Sequence, residues 1–237
     1  MSSKTDKDLY LTGKVVGITG ASGTLGRALI EELLLNGAKV IAFTTSQSAE
    51  FVPEIQIVSW KLGAEADLLA HLTEIDILII NHGINVYGNR SISAINQSYQ
   101  VNTFSALRLM ELFFSTVSQL ADRSTKELWI NTSEAEVNPA FSPLYELSKR
   151  TLGDAISLCR IDAPCTVRKL VLGPFKSQLN PAGVMSPRWI AWAIIAWAKR
   201  DIRDIIVTIN PLTYLLFPIK ELFQSIYFRA FTKKSNL

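Results

Sequence analysis

The sequence predicts an open, doubly wound α/β sheet. Three observations point to it. Apolar runs of strand length alternate with segments of helical spacing along residues 14–209, and strands separated by helices imply right-handed parallel βαβ units. The first run ends in a glycine-rich turn that opens a helix. A chain of 237 residues with 48% hydrophobic and 19% charged side chains buries a sizeable core, which argues against a disordered, fibrous or low-complexity protein.

Residues 14–19 (KVVGIT) form the first strand, and 25–35 follow with helical spacing, stopped by Asn36-Gly37. Residues 39–44 (KVIAFT) and 55–60 are the second and third strands. Residues 64–73 read as a short helix, 75–81 (IDILIIN) as the fourth strand, and 98–120 as one long helix. The fifth strand is 127–133 (ELWINTS), the sixth 165–172 and the seventh 205–209, with helices at 143–159 and 187–199 between them. No repeat or linker interrupts residues 1–210, which read as one domain, and 211–237 as an amphipathic tail. In such sheets ligands bind beyond the carboxyl ends of the strands, so the chemistry should stand just after each one.

The formal net charge is +3, from 24 basic and 21 acidic residues. Residues 211–237 hold Lys220, Arg229, Lys233 and Lys234 against Glu221, so the tail carries the whole excess. A neutral body argues against a nucleic-acid partner, and a basic tail points to local contact with an anionic membrane surface. Cys159 and Cys165, with no nearby histidine, read as reduced thiols, so neither a disulfide scaffold nor a metal site is expected. The polar start has no secretory signal. The expected location is the cytoplasm, with the tail at the cytoplasmic face of a membrane as an open alternative.

The turn Thr19-Gly20-Ala21-Ser22-Gly23-Thr24-Leu25-Gly26 follows a strand and opens a helix. Gly20 permits the tight turn, Gly23 lets backbone approach a pyrophosphate, and Gly26 allows close helix–strand packing. With Ser22, Thr24 and Leu25 they form a candidate anion cradle at a helix N-terminus. Further on, Tyr145 and Lys149 stand at i and i+4 on one helix face. A phenol titrates near about 10, and a neighbouring ammonium lowers that value. Alone, such a pair is equally an ordinary amphipathic helix. Its place after a strand that ends in Ser133 raises it.

With these motifs in this order, the chain resembles the short-chain dehydrogenase/reductase family over about residues 12–210. The resemblance implies a seven-stranded Rossmann sheet of order 3-2-1-4-5-6-7, with helices on both faces and a nicotinamide dinucleotide bound. It makes Tyr145 the general acid/base. Lys149 would lower the phenol's pKa and hold the ribose. Ser133 would polarise the substrate oxygen, with Thr132 as fallback, and Asn102 would support a water relay to the lysine. Asn81, His82 and Gly83 match a cofactor-lining segment in which His82 replaces a small residue and is expected to pack. Gly173, Phe175 and Ser177 match the turn that holds the carboxamide. The chain departs from the family at Gly23, one position early, at Lys61 in place of an acid near the adenine, and at Ile80.

At the end of the second strand, Thr44, Thr45 and Ser46 stand where an acid would bind the ribose 2′-hydroxyl of NAD. Hydroxyls can donate to a phosphate, so NADP(H) is favoured over NAD(H), although no basic residue fills the positions that relatives use. The expected activity is hydride transfer between NADP(H) and a carbonyl or secondary alcohol on a small, hydrophobic, lipid-like substrate. The alternative is a nucleotide-binding regulator on the same fold without turnover. Glu134 and Glu136 either touch substrate or lie in a solvated loop.

In the tail, Ile219, Leu222, Phe223, Ile226, Tyr227 and Phe231 share one side of a helix, while Lys220, Glu221, Gln224 and Ser225 take the other. Residues 211–219 are apolar but short, and no stretch reaches the roughly 18–20 residues of a spanning helix. Three roles stay open: an interfacial helix on a membrane, a helix packed on the body, or a homo-oligomer contact. Trp189, Ile190, Trp192, Ile195 and Trp197 either line the substrate pocket or fill core. Residues 178–186, where relatives carry a lid, are few, leaving the site open or covered by the tail.

Overall fold

The computed structural model describes residues 9–46, 49–117 and 125–233. Its strands are β1 (Val15–Thr19), β2 (Lys39–Thr44), β3 (Gln56–Ser59), β4 (Ile77–Ile80), β5 (Glu127–Asn131), β6 (Thr166–Leu172) and β7 (Asp204–Val207). They form one sheet in the order β3-β2-β1-β4-β5-β6-β7. Every pairing is parallel, with Gly17 opposite Ile41 and Ile80 opposite Ile130. The helices are α1 (Thr24–Leu35), α2 (Leu69–Glu74), α3 (Ile92–Tyr99), α4 (Ser105–Ser115), α5 (Pro143–Cys159), α6 (Pro187–Ala198) and α7 (Pro211–Phe231).

The strands read as unbroken apolar runs because both faces of the sheet are covered. On one face, Leu29 and Leu33 of α1 and Ile190 and Ile194 of α6 pack with Val16, Ile18, Trp129 and Leu170. On the other, Leu109 and Phe113 of α4 and Leu152 and Ile156 of α5 pack with Phe43, Leu78 and Ile130. Gly17 lies between them in β1, where a β-carbon would run into Ile75.

Three expectations are corrected. The long helix starts earlier, at Ile92, because the Ser91 hydroxyl accepts from the Ala94 amide and caps it. It is then broken by a π turn at Gln100–Phe104 before α4, and its expected end at 118–120 lies outside the described residues. The short helix after β3 opens as a 3-10 turn, Glu65–Leu68, before α2. There Glu65 is buried and holds Arg108 at 2.9 Å and the Ser105 hydroxyl at 2.6 Å, so its carboxyl titrates at about 2 despite burial. The apolar stretch after β7 continues into the amphipathic segment as one helix, α7. Pro211 opens it, the Asn210 side chain caps it, and Pro218 lies within it.

Candidate active site

The glycine turn has the geometry of an anion cradle. Gly20 adopts φ +63°, and a β-carbon there would meet the His82 backbone at 2.9 Å. A β-carbon at Gly26 would collide with the Gly20 carbonyl. Helix α1 starts at Thr24 with no side-chain cap and no acid in its first turn. Its leading N–H groups are therefore available to an anion. Beside the cradle the Thr44 hydroxyl donates to Ser22 Oγ at 3.3 Å, and the Ser46 amide donates to Thr44 Oγ1 at 3.1 Å. Arg27 joins them. Its Nε donates to the Ser22 carbonyl at 3.2 Å and its Nη1 to the Glu50 carbonyl at 2.9 Å, with the guanidinium over the Phe51 ring. A cation thus stands beside Ser22, the residue that Thr44 bonds. It escaped the sequence reading because it comes from the first turn of α1, and its place next to Gly26 was the available signal.

The ends of β1, β4 and β5 are tied together. Thr19 Oγ1 accepts from the Asn81 amide at 3.0 Å and lies 2.8 Å from His82 Nδ1. Asn131 Nδ2 donates to Asn81 Oδ1 at 2.9 Å, and the Asn131 carbonyl accepts from Lys149 Nζ at 2.9 Å. The His82 ring stands edge-on to Trp60, 5.4 Å between centres. Burial, reinforced by the Lys149 charge, pushes the imidazole down to about 4. His82 is neutral at neutral pH and serves as a packing group. Its Nε2 has no well-formed hydrogen bond, the Val101 carbonyl offering only a poor one, and Trp60 Nε1 is buried without a partner.

Ser133, Tyr145 and Lys149 converge after β5. The Ser133 hydroxyl accepts from the Ala135 amide at 3.2 Å and lies near enough to the Tyr145 phenol to favour its ionised form, and Lys149 Nζ stands 6.0 Å from that ring's centre. Thr132 points elsewhere, its hydroxyl donating to the Leu170 carbonyl in β6. Burial raises the phenol's pKa, with the Ser133 hydroxyl pulling the other way. The expected lowering by Lys149 is therefore not what this state has: burial outweighs the rest. Lys149 is itself brought down to about 8 by burial, with Glu136 opposing.

Asn102 sits in the π turn. Its Oδ1 accepts from the Ile84 amide at 2.8 Å, and its Nδ2 donates to the Ile84 carbonyl and to Ser148 Oγ, each at 3.0 Å. The side chain thus clamps the loop after β4 to α5 rather than reaching Lys149. Gly83 lies close against both: a β-carbon there would crowd Asn102 Oδ1 at 3.2 Å and touch Lys149 Nζ at 3.8 Å. After β6, a β-carbon at Gly173 would collide with the Thr208 hydroxyl. Phe175 pairs with Met185, and Ser177 Oγ accepts from the Asn180 amide within its own turn. Residues 178 and 179 are tied to the loop after β4. The Tyr87 hydroxyl donates to the Gln178 carbonyl at 3.2 Å and Asn85 Nδ2 to the Leu179 carbonyl at 3.4 Å, which joins the loops after β4 and β6.

Glu134 and Glu136 do not lie free in a solvated loop. Glu134 Oε2 accepts from Thr208 at 2.6 Å and from Thr213 of α7 at 3.1 Å. Glu136 Oε2 pairs with buried Lys169 at 3.0 Å and with Lys220 of α7 at 2.6 Å. Both acids pin the loop that follows Ser133. Ile190 and Ile195 fill core, but Trp189, Trp192 and Trp197 are about half exposed. They line, with Tyr214 and Arg200, an outer groove of about 310 Å³ that is separate from the candidate catalytic groups.

The short chain dehydrogenase family profile matches residues 14–153. The chain belongs to the short-chain dehydrogenase family. Among relatives of this short-chain dehydrogenase is the monoglucosyldiacylglycerol epimerase of Synechocystis sp., 57% identical over 233 residues, which cover 96% of this chain and 57% of that protein. The chain thus spans little more than half of that relative's length. The ketoacyl reductase HetN of Nostoc sp. is 26% identical over 236 residues, 86% of this chain and 81% of that protein. A short chain dehydrogenase from Burkholderia cenocepacia, solved in complex with NADP, superposes with a TM-score of 0.75 at 19% identity, covering 94% of this chain and 99% of that one. An aldohexose dehydrogenase from Thermoplasma acidophilum gives 0.72 at 18% identity, covering 84% and 94%. At such identities these two likenesses speak to fold alone.

Proposed function

We propose that this short-chain dehydrogenase inverts one secondary alcohol carbon of the sugar on a glucosyl diacylglycerol, by oxidising it to the ketone and reducing it again, with NADP(H). The grouping of Ser133, Tyr145 and Lys149 after β5 carries the reading. The Synechocystis relative named as such an epimerase supports the substrate class.

The residues present suit a dinucleotide. The uncapped start of α1 suits a pyrophosphate, Gly83 leaves room against Asn102 and Lys149, and Arg27 beside Ser22, with Thr44 and Ser46, suits a 2′-phosphate. When bound, a nicotinamide accepts a hydride from the carbinol carbon and returns one to the ketone. The chain's own groups move the proton. Tyr145 takes it from the sugar hydroxyl as the C–H bond breaks and gives it back on reduction. Ser133 donates to the same oxygen, where negative charge develops. The Lys149 ammonium favours the phenolate during oxidation. Burial keeps the resting phenol protonated, the form that reduction needs. Hydride return to the opposite face inverts the carbon with no net redox change.

The test supplies the protein with glucosyl diacylglycerol deuterated at each ring carbinol carbon in turn, and with NADP⁺ well below the lipid concentration. An isomeric glycolipid that keeps the label, without accumulation of NADPH, is expected. Net NADPH formation would make the protein a dehydrogenase of that lipid. Tight nucleotide binding without turnover would favour the regulator.

A further inference from the structure

Helix α7 docks with its polar side inward. Lys220 pairs with Glu136 at 2.6 Å and Asp154 at 2.8 Å, Glu221 with Lys169 at 2.7 Å, and Gln224 donates to Asp154 at 2.7 Å. Of the whole helix only Thr213 and Phe217 are buried. The opposite side holds Leu215, Ile219, Leu222, Phe223, Ile226 and Tyr227, from 44% to 67% exposed. A surface helix of a soluble domain ordinarily turns its apolar stripe to the core. This one does the reverse, and so large a contiguous apolar surface marks an interaction site.

The surface extends beyond α7. Tyr214 also lines the groove of Trp189, Trp192 and Trp197. Phe141, 98% exposed and held at φ +54°, stands three residues after Asn138, whose amide donates to Thr213. The cations on this side are Arg200 in the groove and Arg229 in the last turn of α7, and the acid next to Arg200, Asp201, is paired with Arg168. The one acid of α7, Glu221, faces inward. Aromatic rings with polar tips, aliphatic side chains and a basic rim match the interface of an anionic bilayer. A second copy of the chain would instead bring cation against cation.

We propose that the outward side of α7 and the tryptophan groove seat on an anionic lipid bilayer, with α7 lying in the plane of the interface. Because α7 starts just after β7, its first turn stands at the carboxyl end of the strands, where Ser133 also follows β5, and Thr213 is bonded to Glu134 next to that serine. A lipid could then offer its head group to the site while its chains stay in the bilayer. That last point rests on the proposed substrate; the docking does not.

Flotation of the full chain with vesicles of phosphatidylcholine, alone or mixed with phosphatidylglycerol, tests it. Binding to the anionic vesicles, weakened by salt, and quenching of tryptophan emission by brominated acyl chains are expected. Leu222→Ser, Phe223→Ser and Ile226→Ser together should weaken partitioning about tenfold or more and leave NADP(H) binding unchanged. If that variant does not fold, quenching in the unaltered chain decides. Failure to bind either vesicle overturns the proposal. So does binding that the three substitutions leave intact, or a dimer in solution that they disperse. Vesicle binding without glycolipid turnover would sink the proposed reaction alone.

Discussion

The carboxylate of Glu136 occupies the space that any side chain at Gly153 would need, since a β-carbon built there would collide with the whole carboxylate group. A glycine inside helix α5 costs about 1 kcal/mol relative to alanine. Here it admits the acid that receives both Lys169 and Lys220. Gly153→Ala should therefore destabilise in spite of better helix propensity, by about 2–4 kcal/mol, as the buried pair is pushed apart. Denaturant melts give the magnitude, and hydrogen exchange should show α7 loosening first.

On the proposed mechanism, removing the phenol hydroxyl removes the proton carrier and little else. Tyr145→Phe should lower turnover by about 10²–10⁴ while nucleotide affinity, read by fluorescence titration, stays within a few-fold.

Arg27 bonds the Ser22 carbonyl, and the Ser22 hydroxyl accepts from Thr44. Arg27→Ala should weaken NADPH about tenfold, as a lost charge-assisted hydrogen bond does, and leave NADH nearly unchanged. Equal losses for both would place the 2′-phosphate elsewhere.

His82 gives the fold a pH dependence of known sign. Its folded value of about 4 lies below the ordinary 6.5, so between those two values the unfolded chain holds a proton that the folded chain refuses. Its contribution to stability is complete above pH 6.5 and is lost as the pH drops toward 4, by about 3 kcal/mol. Glu65, lowered to about 2 by its bonds to Arg108 and Ser105, adds a separate loss between pH 4.5 and 2. In His82→Ala the upper step should vanish and the lower remain, as urea midpoints over a pH series would show.

The sheet was legible because parallel strands covered on both faces are nearly continuous apolar runs, and because Gly20, Ser133 and Tyr145 keep fixed offsets from strand ends. What stayed hidden depends on distant partners. The break at Gln100–Phe104 goes with Asn102 reaching back to Ile84, which helical periodicity does not register. Arg27 gains its place from the Glu50 carbonyl. The two sides of α7 were plain from spacing, but which one faces the body is decided by Lys169 and Glu136, far back in the chain. Glu134 and Glu136 looked like loop acids for the same reason.

Lys169 belongs to the sheet, Glu136 to the loop after β5, and Lys220 and Glu221 to the helix laid over both, so the four charges balance only while α7 is in place. A hybrid grafted with a foreign helix at residue 211 would leave Lys169 and Glu136 one pair where there had been two cations and two acids, and would open that pair to water. Any recombination point between β6 and α7 is in this sense a poor one, whatever catalytic groups it spares.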